Sequence, residues 1–360
     1  MNFDLEKLIR LNIRDLKPYS SARSEFSGKA SVFLDANENS FGSPAGPGLN
    51  RYPDPLQLEL KQRIAGLNEI SPEQIFVGNG SDECIDLLFR IFCEPRRDEV
   101  VICPPTYGMY EVSAAINDVK TVKILLTEDF QLDLDSVLTA VSPATKMIFV
   151  CSPNNPTGNL MDRRPGIELA EQFGGIVVVD EAYIHFCDRP SLTNELDRLP
   201  NLVVLQTFSK AWGMAGLRVG TAFASAEIIQ LFNRVKPPYN VSTAAQKAVL
   251  DVLDRPVWMK DRLEEILNER LRLEEQMMRI PLVKRIFPSD ANFILARTAD
   301  ADAIYRHLVE RGVVVRNRSN VELCGGCLRI TVGTREENDE LIAALQSCTV
   351  GTATFSEVTI

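Results

Sequence analysis

The chain lacks the features of several large protein classes. It contains no apolar run of about 18 residues, so no membrane span is predicted. Its 39 Lys and Arg are outnumbered by 49 Asp and Glu, and the net charge of −10 argues against a nucleic-acid-binding surface. The first ten residues are amphipathic and carry charges of both signs, without the basic start and apolar core of a signal peptide. These absences, with an ordinary 45% of hydrophobic residues, favour a soluble folded protein that has neither nucleic acid nor a membrane as a partner.

The chain is also poor in metal ligands. Only His185 and His307 occur, and the eight cysteines are scattered, several of them within apolar stretches. Cys324-Gly-Gly-Cys327 imitates a zinc or redox pair, but no second pair exists. We therefore predict no metal site, reduced thiols and a cytoplasmic location.

The 360 residues are enough for a large α/β domain and a smaller one. We expect an N-terminal arm (1–35) that docks on the small domain, a large domain (36–256), a small C-terminal domain (257–350) that begins with a connector helix, and a tail (351–360). Residues 39–54, rich in Gly and Pro, are expected to form a loop.

Short β-branched runs alternate with helical patterns from about residue 74. The runs, which are apolar on both faces, are 75–77, 100–102, 122–125, 147–150, 176–179 and 202–205. Helical stretches lie between several of them, as at 81–92 and 166–173. This alternation predicts an α/β fold with a mostly parallel, doubly wound sheet, whose ligands bind beyond the carboxyl ends of the strands.

A second, smaller α/β pattern follows residue 256. A long charged helix is predicted at about 257–279, with Leu263, Ile266, Leu267 and Leu271 along one face. Strands are predicted at 283–287, 292–295, 313–315 and 328–332, and helices at 301–311 and 335–346.

Lys210 lies in the segment Thr-Phe-Ser-Lys-Ala-Trp-Gly-Met-Ala-Gly-Leu-Arg-Val-Gly, residues 207–220. A lysine amine is a useful nucleophile only when it is held next to a carbonyl and its pKa is lowered. Thr207, Ser209 and Arg218 nearby are suited to bind a phosphate dianion. An aldehyde cofactor with a phosphate, pyridoxal 5'-phosphate (PLP), fits this arrangement. Taken alone, Lys210 would be interpreted as an ordinary exposed lysine, so the prediction depends on the motifs that precede it.

Two further motifs follow predicted strands. In Gly78-Asn-Gly-Ser81-Asp82-Glu, glycines and a helix N-terminus suit an anion, although Ser81 and Asp82 could simply cap the helix. In Pro-Pro-Thr-Tyr107, the tyrosine could lie flat against a planar ring or could merely pack a loop.

The next two motifs carry an amide and a carboxylate. The first is Ser-Pro-Asn-Asn155-Pro-Thr-Gly158, whose two prolines and glycine fix an irregular turn. This turn could present the asparagine amides at a fixed angle, or it could be a turn without further function. Asp180 directly follows four β-branched residues, so its carboxylate needs a cation, and a protonated pyridine nitrogen is one. The alternative is that Asp180 caps a helix. Tyr183 could bond the phenolic oxygen of the ring.

These motifs together resemble the fold-type I PLP-dependent enzymes, among them the class II aminotransferases, and most closely the histidinol-phosphate aminotransferase family. The resemblance runs from about residue 19 to residue 337. It depends most on the blocks 35–38, 51–54, 103–110, 152–158, 180–183, 209–220 and 327–337.

The resemblance implies the role of each residue around the cofactor ring. Lys210 would bind PLP covalently as an aldimine and then carry the proton. Asp180 would pair with the pyridinium, Asn155 and Tyr183 would bond the ring oxygen, and Tyr107 would stack on the ring.

For the cofactor phosphate, the resemblance implies ligands from two subunits. These would be the backbone at Ser81 and Asp82, the side chains of Thr207, Ser209 and Arg218, and Tyr52 of a second subunit. The protein would then be a homodimer with shared active sites.

For the substrate, the resemblance implies that Arg329, Arg316 and Tyr19 hold its phosphate, with Asn155 nearby. Nothing in the spacing assigns a role to Arg318, and Arg316 and Arg318 could also belong to a solvated loop.

The implied reaction is transamination between L-histidinol phosphate and 2-oxoglutarate, which gives imidazole acetol phosphate and L-glutamate in histidine biosynthesis. Three alternatives remain open from the sequence: an aromatic amino-acid aminotransferase, a decarboxylase of a phosphorylated amino acid, and the effector-sensing module of a transcription regulator. The acidic balance and the absence of a basic helix before the first motif argue against the last one.

Overall fold

The computed structural model describes residues 3–20, 22–25 and 30–349. The helices are α1 (Leu5–Leu8), α2 (Leu11–Arg14), α3 (Ala22–Glu25), α4 (Leu58–Asn68), α5 (Ser81–Phe92), α6 (Met109–Ile116), α7 (Leu134–Ala140), α8 (Arg163–Gln172), α9 (Ala226–Val235), α10 (Thr243–Leu253), α11 (Pro256–Met278), α12 (Ala301–Glu310) and α13 (Arg335–Gln346). The strands are β1 (Ile75–Gly78), β2 (Glu99–Ile102), β3 (Lys120–Lys123), β4 (Thr145–Cys151), β5 (Ile176–Asp180), β6 (Leu202–Thr207), β7 (Gly220–Phe223), β8 (Val283–Ile286), β9 (Phe293–Thr298), β10 (Arg316–Asn317) and β11 (Cys327–Thr331).

The first sheet has seven strands in the order β1-β7-β6-β5-β4-β2-β3. We call this sheet and its helices, residues 58–253, the large unit. All its strands are parallel except β7, which pairs antiparallel with both β1 and β6. The prediction of a mostly parallel sheet is confirmed. The sequence analysis missed β7, because its segment Gly-Thr-Ala-Phe has no β-branched run.

Alternate residues of the central strands pack into two separate cores. In β5, Val177 and Val179 contribute to one core, and Ile176 and Val178 contribute to the core on the opposite face. Burial of both faces explains why these strands are apolar throughout. The sheet is therefore covered by helices on both sides, as the prediction of a doubly wound sheet requires.

The second sheet has four antiparallel strands in the order β10-β11-β9-β8. We call this sheet with α12 and α13, residues 283–346, the small unit. The predicted strand at 313–315 is wrong, since pairing begins only at Arg316, which lies opposite Arg329. Helix α13 begins with a capping box, in which Thr334 and Glu337 satisfy each other's backbone N–H groups.

Helix α11 connects the two units over 23 residues. Leu263, Ile266 and Leu267 pack beside Tyr183 and Phe293. Leu271, which we placed on the same face, is instead 62% exposed. The packed face therefore shifts along the helix to Leu273 and Met277, which lie in the core of the small unit.

The N-terminal arm docks on the large unit, which corrects the expectation that it docks on the small one. Ile9 and Ile13 are buried in the core that contains α5 and α9. The Arg10 N–H donates to the Ile91 carbonyl over 3.0 Å, and the Arg234 guanidinium donates to the Arg14 carbonyl over 2.9 Å. The two buried isoleucines thus find their apolar partners on the helices of the large sheet.

The domain limits at 36, 257 and 351 stay predictions, and the expected tail, 351–360, lies outside the described residues. Within the described ranges, no helix combines the length and the apolar character that crossing a membrane requires.

Candidate active site

A cavity of about 500 Å³ opens at the carboxyl edge of the large sheet and is closed on one side by the small unit. The loops after β1, β2, β4, β5 and β6 meet there, since parallel strands end at one edge. The predicted site residues among its lining are Ser81, Asp82, Tyr107, Asn155, Asp180, Tyr183, Thr207, Ser209, Lys210, Arg218, Arg316 and Arg329. The fold thus brings together side chains that are separated by as many as 248 positions, from Ser81 to Arg329.

Lys210 lies three residues beyond the end of β6, with its amine facing the cavity. Its Nζ is 5.4 Å from the centre of the Tyr183 ring and forms no ion pair with any acidic residue that the structure describes. Burial, and then the positive charge of Arg329, lowers the pKa of the Lys210 amine. A larger share of neutral amine makes Lys210 a better nucleophile and base than a solvated lysine.

Asp180 ends β5 and is only 3% exposed. One carboxylate oxygen accepts the Ala182 N–H over 3.0 Å, and the other accepts the Tyr110 hydroxyl over 2.7 Å. Burial raises the pKa of the Asp180 carboxyl, and these two hydrogen bonds oppose the rise. The bond to Ala182 is typical of a capping aspartate, but residues 181–183 form no helix, so the capping alternative does not explain this burial.

Tyr110 is the site residue that sequence analysis missed. It is fully buried, its ring stacks on Phe149 at 4.8 Å, and its hydroxyl supports Asp180. Tyr110 follows Tyr107 by three positions, and the two rings meet edge-on at 5.6 Å where α6 begins. The spacing of three residues from Tyr107 is the one signal in the sequence that could have indicated Tyr110. Its contact with Asp180, 70 positions away, is visible only in the packed structure.

The N-terminus of α5 forms an anion-binding cup. Its first residues, Ser81 and Asp82, line the cavity, and the helix cap is Gly80, without a capping side chain. The interpretation of Ser81 and Asp82 as simple caps is therefore wrong. Gly80 has φ +77°, and a Cβ on it would lie 2.7 Å from the Arg218 guanidinium. Only glycine allows this close approach.

Arg218 projects into the same cup. Its guanidinium donates to the Ser209 hydroxyl and to Asp82, both over 3.3 Å. The Thr207 hydroxyl accepts the Ser209 N–H over 3.1 Å, which fixes the turn after β6. The helix N-terminus, two hydroxyls and an arginine together form a donor set that suits a phosphate dianion.

Asn155 connects the large and small units across the cavity. Its Oδ1 accepts a hydrogen bond from the guanidinium of Arg329, on β11. Tyr183 lies beside them and packs edge-on against Phe293 at 5.1 Å. The turn at residues 152–158 therefore orients Arg329 through Asn155. This contact favours a functional role for the turn over a role in chain reversal alone.

Tyr107 stands at the cavity wall. Its hydroxyl donates to Asp82 over 3.1 Å, and its ring meets Tyr110 edge-on at 5.6 Å. Burial, and then the charge of Asp82, raises the pKa of Tyr107. The phenol therefore stays neutral, with one face of its ring available to a planar ligand.

Arg316 and Arg329 lie opposite each other on β10 and β11. Both line the cavity, as does Arg318, to which sequence analysis assigned no role. None of the three forms an ion pair with an acidic residue in the described part of the chain. The substrate side of the cavity is therefore strongly positive.

Two predicted site residues lie outside this cavity within the single chain. Tyr52 is 50% exposed and stacks on Tyr239 at 4.4 Å, and Tyr19 is 76% exposed. We expected Tyr52 to act on a second subunit, so its position does not contradict that role. The roles of both tyrosines stay predictions.

The residues of the cavity fit PLP. Asp180 is a buried carboxyl that no cation pairs with among the described residues, and a pyridinium would provide one. The cup at α5 and Arg218 would hold the phosphate, and Lys210 lines the same cavity. No cluster of three or more metal-ligating side chains occurs in the ranges that the structure covers.

Comparisons with known proteins agree with this geometry. The family model described as aminotransferase class I and II matches residues 28–345. The chain is 54% identical over 344 residues to a histidinol-phosphate aminotransferase of Parabacteroides distasonis, covering 96% of this chain and 99% of that protein. It is 52% identical over 347 residues to one of Cytophaga hutchinsonii, covering 96% of this chain and 100% of that protein.

A solved structure is similar as well. It is the histidinol-phosphate aminotransferase from Sinorhizobium meliloti in complex with pyridoxal-5'-phosphate, with a TM-score of 0.77 and 26% identity. The match covers 86% of this chain and 89% of that one. These likenesses extend over both the large and the small unit.

Proposed function

Because the chain belongs to the class I and II aminotransferase family, we propose that it uses PLP to transfer the amino group of L-histidinol phosphate to 2-oxoglutarate. The products are imidazole acetol phosphate and L-glutamate, and the reaction belongs to histidine biosynthesis. One observation supports this proposal most directly. Arg316 and Arg329 lie opposite each other, form no ion pair among the described residues, and line the same cavity as Lys210.

Bound PLP supplies an electron-accepting ring that stabilises negative charge at the substrate Cα. Asp180, which is buried and accepts a hydrogen bond from Tyr110, is the residue that would pair with the protonated pyridine nitrogen. Asn155 and Tyr183 would bond the ring oxygen, and the donor set around Arg218 would hold the phosphate, since all of them line the same cavity.

Lys210 carries the proton. Its lowered pKa makes the neutral amine available to take a proton from the substrate Cα, and the same amine would donate that proton to C4′ of the cofactor. The small unit lines one side of the cavity, where it would limit the access of water to this proton path.

The arginines serve both half-reactions. Arg316 and Arg329 bind the phosphate of histidinol phosphate in the first and a carboxylate of 2-oxoglutarate in the second. Arg329 donates a hydrogen bond to Asn155, which would also bond the cofactor ring. This shared contact would fix the position of Arg329 relative to the ring.

Absorbance of the purified holoenzyme tests this function. Histidinol phosphate should shift the cofactor band in a single turnover, and 2-oxoglutarate should restore it. Borohydride should fix the cofactor on a peptide that contains Lys210. Lys210→Ala should lower kcat by at least about 10²-fold to 10⁴-fold, the usual worth of a positioned proton-transfer group.

Lys247→Ala, on the exposed face of α10, is the matched control and should behave like the parent. Release of CO₂, or a band shift with phenylalanine or tyrosine but none with histidinol phosphate, would refute the proposed substrate.

We also propose that the protein is a homodimer with shared sites. The segment from Val32 to Leu58 exposes several apolar side chains, a feature typical of an interface: Val32, Leu34, Phe41, Leu49, Tyr52, Leu56 and Leu58. Glu38 accepts the Tyr52 N–H over 2.7 Å and binds Arg51, which fixes the position of Tyr52. Tyr52 is thus available to bind the cofactor phosphate of another subunit.

We propose a cytoplasmic location because the described cysteines form no disulfide bonds. All eight are free thiols, and all but Cys187 are buried, as suits a reducing compartment.

A further inference from the structure

We infer that Arg318 is a third guanidinium of the substrate site, and that it selects a phosphate monoester over a carboxylate. This inference rests on the proposed function, because it concerns the anionic group that the same cavity binds. Arg318 lines the cavity together with Arg316 and Arg329.

The pleat of the small sheet places the three arginines on one face. Arg316 pairs with Arg329, and the Arg318 N–H continues the ladder by donating to the Cys327 carbonyl over 2.9 Å. Side chains alternate along a strand, so Arg316 and Arg318 point to the same side. Asn317, between them, points away and bonds Asp302 at the start of α12. The sequence Arg-Asn-Arg therefore directs two guanidinium groups into the cavity and the amide out of it.

Arg318 forms no ion pair with an acidic residue within the ranges that the structure describes, so its charge is not neutralised by the fold. The nearest acidic residue in sequence, Glu322, lies 4.0 Å from Lys123 and forms no ion pair with Arg318. Arg318 is half-buried, and burial, followed by the charges of Arg329 and Arg316, lowers its pKa. Three mutually repelling cations at the wall of one cavity are stabilised when an anion enters.

The number of oxygens explains the selectivity. A carboxylate offers two oxygens, which Arg316 and Arg329 can satisfy between them. A phosphate monoester offers three terminal oxygens and nearly two negative charges, so it leaves an oxygen and a charge for Arg318. Arg318 should thus matter for the phosphorylated substrate and matter little for glutamate or 2-oxoglutarate.

The test compares Arg318→Gln, Arg318→Lys and the control Arg311→Gln as holoenzymes. Arg311 is an exposed arginine at the end of α12, outside the cavity lining. For each variant, KM and kcat are measured with histidinol phosphate and, separately, in the glutamate half-reaction. Inorganic phosphate is then titrated as an inhibitor of the glutamate half-reaction.

Arg318→Gln should raise KM for histidinol phosphate roughly tenfold to hundredfold, the usual effect of losing one charge-assisted hydrogen bond. Its KM for glutamate should change by less than about threefold, and its inhibition constant for phosphate should rise in parallel with the KM for histidinol phosphate. Arg318→Lys should lie between Arg318→Gln and the parent, since it keeps the charge without the planar fork. Arg311→Gln should match the parent in every measurement.

Equal losses with both substrates would mean that Arg318 supports the fold of the site and does not select phosphate. No change in any measurement would mean that it is a solvated arginine, and either result overturns the inference. If the parent does not act on histidinol phosphate at all, the proposed function fails, but inhibition by inorganic phosphate still decides the role of Arg318.

Discussion

At the scale of single residues, the chemistry depends on two ionisable groups that the fold moves away from their ordinary pKa values. Burial lowers the pKa of the Lys210 amine and raises that of the Asp180 carboxyl. The lowered pKa makes the Lys210 amine more reactive. The raised pKa means that Asp180 stays ionised only with the help of its hydrogen bonds and of a cationic ligand. The hydrogen bonds from Tyr110 and from the Ala182 N–H limit the rise in the pKa of Asp180.

Tyr110→Phe should destabilise the ionised form of the Asp180 carboxyl. The hydroxyl favours the carboxylate, so its removal raises the pKa of Asp180 further, and protonation then begins at a higher pH. The acid limb of the profile of kcat/KM against pH should move to higher pH. At neutral pH we expect kcat/KM to fall roughly tenfold, and the free energy of unfolding to fall by about 1–3 kcal/mol.

Phenylalanine keeps the stacking on Phe149, so the change isolates the hydroxyl. Tyr305→Phe, in the small unit, is the control and should leave the profile unchanged. An acid limb at the same pH in Tyr110→Phe and the parent would show that the hydroxyl does not act through Asp180.

At the scale of elements, the anion cup requires a close contact between the start of β7 and the start of α5. A Cβ on Gly220 would overlap the backbone of Gly80 and would lie 2.9 Å from the Ser81 Cα. Glycine at 220 thus lets the antiparallel strand lie against the helix terminus that we propose binds phosphate. The sequence shows the glycine, but it does not show which backbone it meets.

Gly220→Ala should weaken PLP binding more than it weakens the fold. The added methyl must push β7 away from the N-terminus of α5, at a cost of about 1–3 kcal/mol for an overpacked site. Part of that cost falls on the cup, so the dissociation constant for PLP should rise roughly tenfold. Titration of the apoprotein, followed by absorbance, measures this effect.

Gly216→Ala is the matched control, since a Cβ there meets nothing within 4 Å. It should bind PLP as the parent does. Equal affinities in Gly220→Ala and Gly216→Ala would show that the contact between β7 and α5 does not shape the cup.

At the scale of the whole molecule, the site belongs to several parts of the chain at once. The small unit contributes Arg329, which bonds Asn155 of the large unit, and the cluster around Tyr183 and Phe293 joins both. Glu38 holds Tyr52 on the surface, away from the cavity of its own chain. A twofold dimer would complete each site with Tyr52 of the other subunit.

Mixing two variants tests this arrangement. Tyr52→Phe should bind PLP roughly tenfold more weakly, because one hydrogen bond to the phosphate is lost. Lys210→Ala should be inactive but should keep Tyr52. At limiting PLP, the mixed dimer has one site with both Lys210 and an intact Tyr52, so turnover should exceed the sum of the two separate proteins.

Tyr305→Phe mixed with Lys210→Ala should show no gain, because Tyr305→Phe already has a complete site. Absence of any gain with Tyr52→Phe would mean that Tyr52 acts within its own chain or not at all, and would contradict the shared site.

Much of the fold was readable because its patterns are local. Strands β1, β2, β4, β5 and β6 were predicted from β-branched runs, and α5 and α13 were predicted to the residue. Strand β7 and the docking of the arm were not, since β7 has no such run and the arm buries only Ile9 and Ile13.

The sequence by itself determined several of the side chains at the carboxyl edge of the large sheet, because Asp180 ends its strand and Ser81, Asn155 and Lys210 follow theirs within four residues. Tertiary structure alone decided that Tyr110 supports Asp180, that Gly220 makes room for α5, and that Arg318 shares a face with Arg316 and Arg329. The physical reason is that these relations join residues far apart in sequence, and such contacts depend on how all the elements pack together rather than on any local pattern.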